Sequence, residues 1–213
     1  MKRNLNAAAM AAVIAVGVGA IVFGQGQRRP ASPAGSSAVE VAGKYDPKAA
    51  EPTYVGGKWI EITYGRPIKR GRDVFGGTGE NYGKVANPDQ PVWRAGANVS
   101  TQLKNEVPLV INGKTVPPGT YTMFVDLKPN NWTLIVSNWV AQTRYDPSNT
   151  QQIWGAYGYT PDKDVVRAPM KLETTQHAFE QMSWQFVDMT PTGGAMAVLW
   201  DKQIATVPFK LGT

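Results

Sequence analysis

Few side chains in this 213-residue sequence are able to do chemistry, and their spacing excludes most reactions before any fold is considered. Cysteine is absent, which removes thiolate nucleophiles, disulfides, thiolate metal sites and a lipidated cysteine anchor together. His177 is the one histidine and stands in a polar stretch, Glu173 to Gln181. A single imidazole cannot build a histidine-rich zinc site, and no G-x-S-x-G turn accompanies it as a serine-hydrolase signature, so it reads as a solvated side chain. Asp162, Asp164, Asp188 and Asp201 are the carboxylates from which a glycosidase pair would be drawn. Such a pair is defined by separation across a sugar, which spacing along a chain does not give. Gly76-Gly77-Thr78-Gly79 falls short of a phosphate cradle, because a P-loop needs Gly five residues before its Gly-Lys, and Thr78 holds that place before Gly83-Lys84. No catalytic residue, metal ligand or cofactor is assigned on these grounds.

The most unusual constellation is basic and polar: Arg66 before Pro67, Arg72 after Gly71, and Trp93-Arg94-Ala95-Gly96-Ala97-Asn98. Guanidinium forks bind planar anions with two hydrogen bonds and stack on aromatic rings. Arg66, Arg72, Trp93, Arg94 and Asn98 are therefore the candidate ligand-binding residues, for a carboxylate or another anion. Arginines on the edge loops of β domains also tie loop carbonyls together, and that structural use is the competing reading.

The elements that must position these residues read as strands. Trp59 to Tyr64 alternates, with Ile60, Ile62 and Tyr64 on one face. Val107 to Ile111 and Thr115 to Val116 flank Asn112-Gly113, a pair suited to the two positive-φ positions of a type I′ hairpin. Thr120 to Asp126 and Trp132 to Ser137 form a second hairpin around Lys128 to Asn131, and Asn138 to Thr160 reads as a long loop. Four further strands are expected at Val165 to Leu172, Met182 to Asp188, Ala195 to Trp200 and Ile204 to Lys210. Trp59, Trp132, Trp184 and Trp200 fall in these runs and are expected in the core. About eight strands without βαβ alternation predict an all-β fold, an antiparallel β-sandwich of jelly-roll-like form, over residues 53–213.

Two segments precede that domain. Ala7 to Phe23 is an unbroken apolar run behind Lys2 and Arg3. As a helix from Leu5 to Gly24 it reaches about 30 Å, the thickness of a bilayer core. Residues 1–24 are thus a signal segment or a single-pass transmembrane helix. Small residues near Gly24 and Gly26 suit cleavage, whereas Arg28 and Arg29 suit the flank of an anchor. Ala7, Ala11, Ala15 and Gly19 recur every four residues and form a small-residue stripe for helix packing, which favours the retained anchor. Residues 25–52 are rich in Pro, Ala, Ser and Gly and are expected to be a linker. The net charge of +6 comes from dispersed basic residues, without the clusters of a nucleic-acid binder.

The segments Tyr64-Gly65-Arg66-Pro67, Lys69-x-Gly71-Arg72-x-x-Phe75-Gly76, Val92 to Asn98, Asn112-Gly113-Lys114-x-Val116-Pro117-x-Gly119-Thr120-Tyr121 and Trp200-x-Lys202 resemble the bacterial domain-of-unknown-function 2911 family, over about Thr53 to Leu211. The resemblance implies a secreted or envelope-located β-rich domain with no established enzymatic activity. The sequence departs from the family at an insertion, Asn87 to Gln90, at an enlarged stretch around Trp139 to Gln152, and in its Pro-rich tether.

These features together predict a non-catalytic, membrane-anchored domain on the periplasmic side of the inner membrane. Its expected role is an accessory or structural subunit of a larger membrane protein complex, respiratory or photosynthetic, touching the lipid bilayer and other subunits but no nucleic acid. A secreted carbohydrate- or anion-binding module and an envelope-polymer hydrolase with paired carboxylates are the alternatives.

Overall fold

The computed structural model describes residues 30–48, 50–51 and 53–212. The apolar run, with Ala7, Ala11, Ala15 and Gly19, lies outside them. Among the described residues no helix is long and apolar enough to cross a membrane. Strands dominate: β1 (Ala34–Val41), β2 (Lys44–Asp46), β3 (Thr53–Val55), β4 (Lys58–Gly65), β5 (Thr101–Asn105), β6 (Leu109–Ile111), β7 (Lys114–Val116), β8 (Gly119–Asp126), β9 (Thr133–Ser137), β10 (Asp164–Pro169), β11 (Lys171–Thr190) and β12 (Gly193–Leu211). Two short 3₁₀ turns, Gly79–Asn81 and Pro161–Lys163, complete the regular structure.

One sheet has six strands in the order β1-β4-β5-β8-β9-β10, a second has four in the order β11-β12-β6-β7, and β2-β3 is a small ribbon. Every strand pair in these sheets is antiparallel. Period-two burial makes the sheets share a core. Ile60, Ile62, Leu103, Met123 and Val125 from the six-stranded sheet cluster with Ile111, Trp184, Met196, Val198 and Phe209 from the four-stranded one. At the centre Phe75 stands 4.5 Å from Trp132 and 5.7 Å from both Trp93 and Trp200, ring centroid to centroid. These edge-on and tilted geometries let the ring quadrupoles attract.

The alternation of β4 and the Asn112-Gly113 hairpin stand as expected, with Asn112 at φ 48° and Gly113 at φ 75°. Four expectations change. Residues 34–46, read as part of a linker, supply β1 and β2, and β1 pairs along its whole length from Ala34↔Gly65 to Val41↔Lys58. Small and polar side chains suffice there because β1 is an edge strand whose side chains are mostly exposed or half-buried. Strand β5 was not foreseen, since Thr101 and Asn105 take core-facing positions. The Thr101 hydroxyl donates to the Ala95 carbonyl at 3.1 Å, and the Asn105 amide donates to the carbonyls of Val107 and Pro117 at 2.7 and 2.9 Å. The expected strand from Val165 to Leu172 divides between β10 and the start of β11, Met182 to Asp188 becomes part of the long β11, and the last two expected strands merge into β12; the β11–β12 ladder shifts register between Thr174 and Phe179 and again before Ser183. Polar residues continue through β11 because that reach is largely exposed, His177 included. Finally, Trp59 is 49% exposed, while Trp132, Trp184 and Trp200 are buried.

Candidate functional site

The sequence segments around Arg66 and Arg94 are built against each other. Gly65, the last residue of β4, receives a hydrogen bond on its carbonyl from the Ala97 N–H at 3.1 Å. A Cβ at Gly65 would lie 1.9 Å from the Ala97 carbonyl oxygen, so only glycine permits this approach. The loop from Trp93 to Asn98 then turns through two left-handed residues, Ala95 at φ 50° and Asn98 at φ 62°. Ala95 turns its carbonyl inward to accept from the Trp184 indole at 3.0 Å and from Thr101. Beyond Arg66 the chain crosses from one sheet to the other, through the bridge Ile68↔Gln181 and the Met182 N–H to Pro67 carbonyl bond of 3.0 Å. Lys69 then pairs with the largely buried Asp201 at 3.5 Å. The segments Tyr64 to Arg72 and Trp200 to Lys202 thereby fasten the two sheets.

Three of the five candidate ligand residues meet. Arg72, Arg94 and Asn98 line a groove of about 490 Å³, with Trp154 and Tyr157 from the long loop and Trp200 from β12. The other two do not join it. Trp93 is fully buried and stacks behind Trp200, 6.0 Å away with the rings 17° apart. Its position on the core side of the Val92 to Asn98 segment follows from pairing with Val125 through both backbone bonds, at 2.8 Å each. Arg66 is spent on structure: its Nε donates to the Met182 carbonyl at 3.1 Å, and its stem would meet a Cβ on Gly35 of β1.

Donor accounting separates the remaining two arginines. A guanidinium carries five N–H donors. Arg72 spends Nε and Nη2 on the carbonyls of Lys69 and Ile68, at 2.9 and 2.6 Å. Arg94 spends only Nη1, on the Asn98 carbonyl at 2.7 Å, and lies over the Tyr157 ring, 5.4 Å from its centroid. The guanidinium packs flat where Gly155, at φ 63°, has no side chain. The Nε and Nη2 edge of Arg94 has no partner among the described residues, and that edge is the one that grips a carboxylate with two bonds. The Trp200 indole N–H, buried at the same groove, also lacks a partner among them.

Sequence reasoning missed Trp154 and Tyr157. The one signal was the length of the loop that carries them, since long loops on β scaffolds often hold ligands. A larger open depression of about 660 Å³ runs along β1 and β4 past Glu61, Thr63 and Gln102, but it gathers no arginine or lysine. The carboxylates considered for hydrolysis are each engaged or apart. Asp164 accepts from Tyr159 at 2.7 Å and from Arg167 at 2.8 Å, Asp162 accepts from Thr160, Asp201 faces Lys69, and Asp188 lies on β11. Burial and Asp164 hold the Tyr159 hydroxyl well above the usual tyrosine range. Among the described residues no three acidic or imidazole groups are placed to hold a metal ion.

A sequence profile described as protein of unknown function (DUF2911) matches residues 46–209. The chain belongs to the DUF2911 family. Within this DUF2911 domain lie every segment that fastens the sheets and every residue of the groove except Ser32, which the Asn98 amide reaches at 3.2 Å. Strand β1 lies ahead of the matched region yet completes its six-stranded sheet. Neither a curated protein nor a solved structure matches the chain.

Proposed function

We propose that this chain is a non-catalytic accessory subunit of a larger inner-membrane complex, held on the periplasmic side by the apolar segment of residues 5–24, with the two sheets facing each other as a sandwich that docks on a neighbouring subunit. The observation that carries this reading is the exposure of large aromatic side chains on the β2–β3 ribbon and at the start of β4. Tyr45 is 63% exposed and pairs with Tyr54 across the ribbon, and Trp59, at the start of β4, is 49% exposed. Large apolar side chains left in water on a domain with a well-filled core point to a surface that meets a partner. The sequence places this domain a short tether away from a bilayer-length apolar run, so a membrane subunit is the partner within reach.

The test is gentle solubilisation of native membranes, isolation of the chain, and identification of its N-terminus and companions. Retention of the apolar segment together with stoichiometric membrane subunits, which are lost in the Tyr45→Ser/Trp59→Ser variant, is the expected result. A chain beginning near Gln25 or Gln27 and isolated alone refutes it.

A second reading, an anion-binding module, is favoured by one observation: the unpartnered edge of Arg94 in a groove shared with Arg72 and Asn98. Titration of the purified chain with galacturonate checks it. Arg94→Gln should abolish binding while leaving the unfolding midpoint near that of the parent, whereas a collapse of stability assigns Arg94 to structure.

A further inference from the structure

We infer that the loop from Asn138 to Thr160 holds a sugar-ring subsite continuous with the arginine groove, and that the ligand of the combined surface is an acidic oligosaccharide. A uronate carboxylate meets the free edge of Arg94, and an adjoining pyranose ring stacks on Tyr157 and the Tyr145–Trp154 pair. The inference rests on the anion-binding reading above and extends it to a ligand class.

The loop encloses its own cavity of about 350 Å³, lined by Tyr145, Trp154 and Tyr157 and by the amides of Asn149 and Gln152. Trp154 and Tyr157 line the arginine groove as well, so the two hollows share a wall. A pyranose presents an apolar C–H face rimmed by hydroxyls, and a ring platform edged by amides offers contact to the first and hydrogen bonds to the second. Tyr145 and Trp154 stand 6.0 Å apart and tilted by 53°, with Tyr145 exposed and Trp154 half-buried. Trp139 is a different case. Lys163 Nζ sits 3.5 Å over its ring, so that face is already covered.

The loop is ordered around these rings without regular secondary structure. The buried Gln142 amide donates to the carbonyls of Asp146, Asn149 and Gln152 at 3.0, 3.0 and 3.2 Å, and its oxygen accepts from the Asp146 N–H at 2.8 Å. The Gln142 N–H bonds the Ile153 carbonyl at 2.9 Å, and the Ile153 N–H bonds Val140 at 2.8 Å. A buried side chain that satisfies three carbonyls fixes a loop in one shape. The shape it fixes leaves Tyr145 57% and Tyr157 54% exposed. Rings held in water on a rigid frame bind without an ordering cost. Arg94 lies over one face of the Tyr157 ring, so the cation stands next to the Tyr145–Trp154 pair and the opposite face of Tyr157 is the one a sugar would meet.

The experiment is calorimetric titration of the full chain in detergent with tetragalacturonate and tetramannuronate, with neutral cellotetraose and with hexaglutamate. At least one uronate tetrasaccharide should bind, and cellotetraose and hexaglutamate should bind at least about tenfold more weakly. Tyr145→Ala and Tyr157→Ala should each cost about tenfold in affinity with the unfolding midpoint unchanged, and Tyr145→Phe should bind as the parent does. If the tetrasaccharides bind no more tightly than monomeric galacturonate, and Tyr145→Ala changes nothing while Arg94→Gln abolishes both, the ring subsite is refuted and the anion groove stands. Binding indifferent to Arg94→Gln, equal binding of cellotetraose or hexaglutamate, or no uronate binding at all overturns the inference.

Discussion

Gly65→Ala tests the packing that places Arg94. The added Cβ would lie 1.9 Å from the Ala97 carbonyl oxygen and 2.8 Å from its carbon, and both are backbone atoms that no rotamer change can move. To restore ordinary contact the loop must retreat by about 1.5 Å. That movement breaks the 3.1 Å bond from the Ala97 N–H to the Gly65 carbonyl, which costs about 1 kcal/mol. Overpacking of a buried site adds about 1–3 kcal/mol. The sum, about 2–4 kcal/mol, lowers the melting temperature of a domain of this size by roughly 5–15 °C. Gly113→Ala is the comparison: its Cβ meets nothing within 4 Å, and its φ of 75° carries only left-handed strain of about 1–2 kcal/mol. Guanidinium unfolding followed by tryptophan fluorescence reads both, and galacturonate titration of Gly65→Ala reads the displaced Arg94. If Gly65→Ala unfolds at the parent's midpoint, or falls below Gly113→Ala in cost, the close approach of β4 to the Ala97 loop is wrong.

Three other outcomes follow from the same geometry. The Tyr159 hydroxyl titrates above its unfolded value, so its contribution is complete below about pH 10 and is lost as pH rises from there toward the folded value, because the unfolded chain gives up the proton first. Tyr159→Phe should flatten that alkaline decline in the unfolding midpoint, and an unchanged slope argues against the buried hydroxyl. Lys69→Met leaves Asp201 facing the core without its cation and should cost about 1–3 kcal/mol by chemical denaturation, with Lys69→Met/Asp201→Asn recovering part of the loss. Asn is the replacement because Asp201 sits at φ 51°, a conformation that asparagine tolerates. A chain begun at Pro30 should keep the parent midpoint, whereas one begun at Lys44 loses β1 and uncovers the edge of β4, falling by several degrees; equal midpoints would return residues 34–41 to the status of a linker.

The legible parts of this fold were those written in local patterns. Ile60, Ile62 and Tyr64 on one face of a strand, Asn112-Gly113 in a positive-φ turn and the hairpin of β8 and β9 depend on neighbours in sequence, so the sequence contains them. β1 and β5 were hidden because Gly35 and Ser37 share the inner face of β1 with Val39 and Val41, and Thr101 and Asn105 that of β5 with Leu103, and the burial of such small and polar residues depends on partners elsewhere in the chain. Asn105 becomes a core residue only when the carbonyls of Val107 and Pro117 arrive beside it.

The candidate site divides along the same line. By itself the sequence determined that thiol chemistry and a histidine-rich metal site are closed to this chain, that an apolar run of bilayer length precedes an all-β domain, and that arginine, glycine and tryptophan concentrate in the segments from Tyr64 to Arg72 and from Trp93 to Asn98. Only the tertiary structure decided what those residues do. It turned Trp93 into core, committed Arg66 to the Met182 carbonyl, left one edge of Arg94 without a partner among the described residues, and brought Trp154 and Tyr157 to it from far along the chain. The reason is that a guanidinium's role is set by which of its five donors the fold has already used, and those acceptors are backbone carbonyls that carry no signature in the sequence.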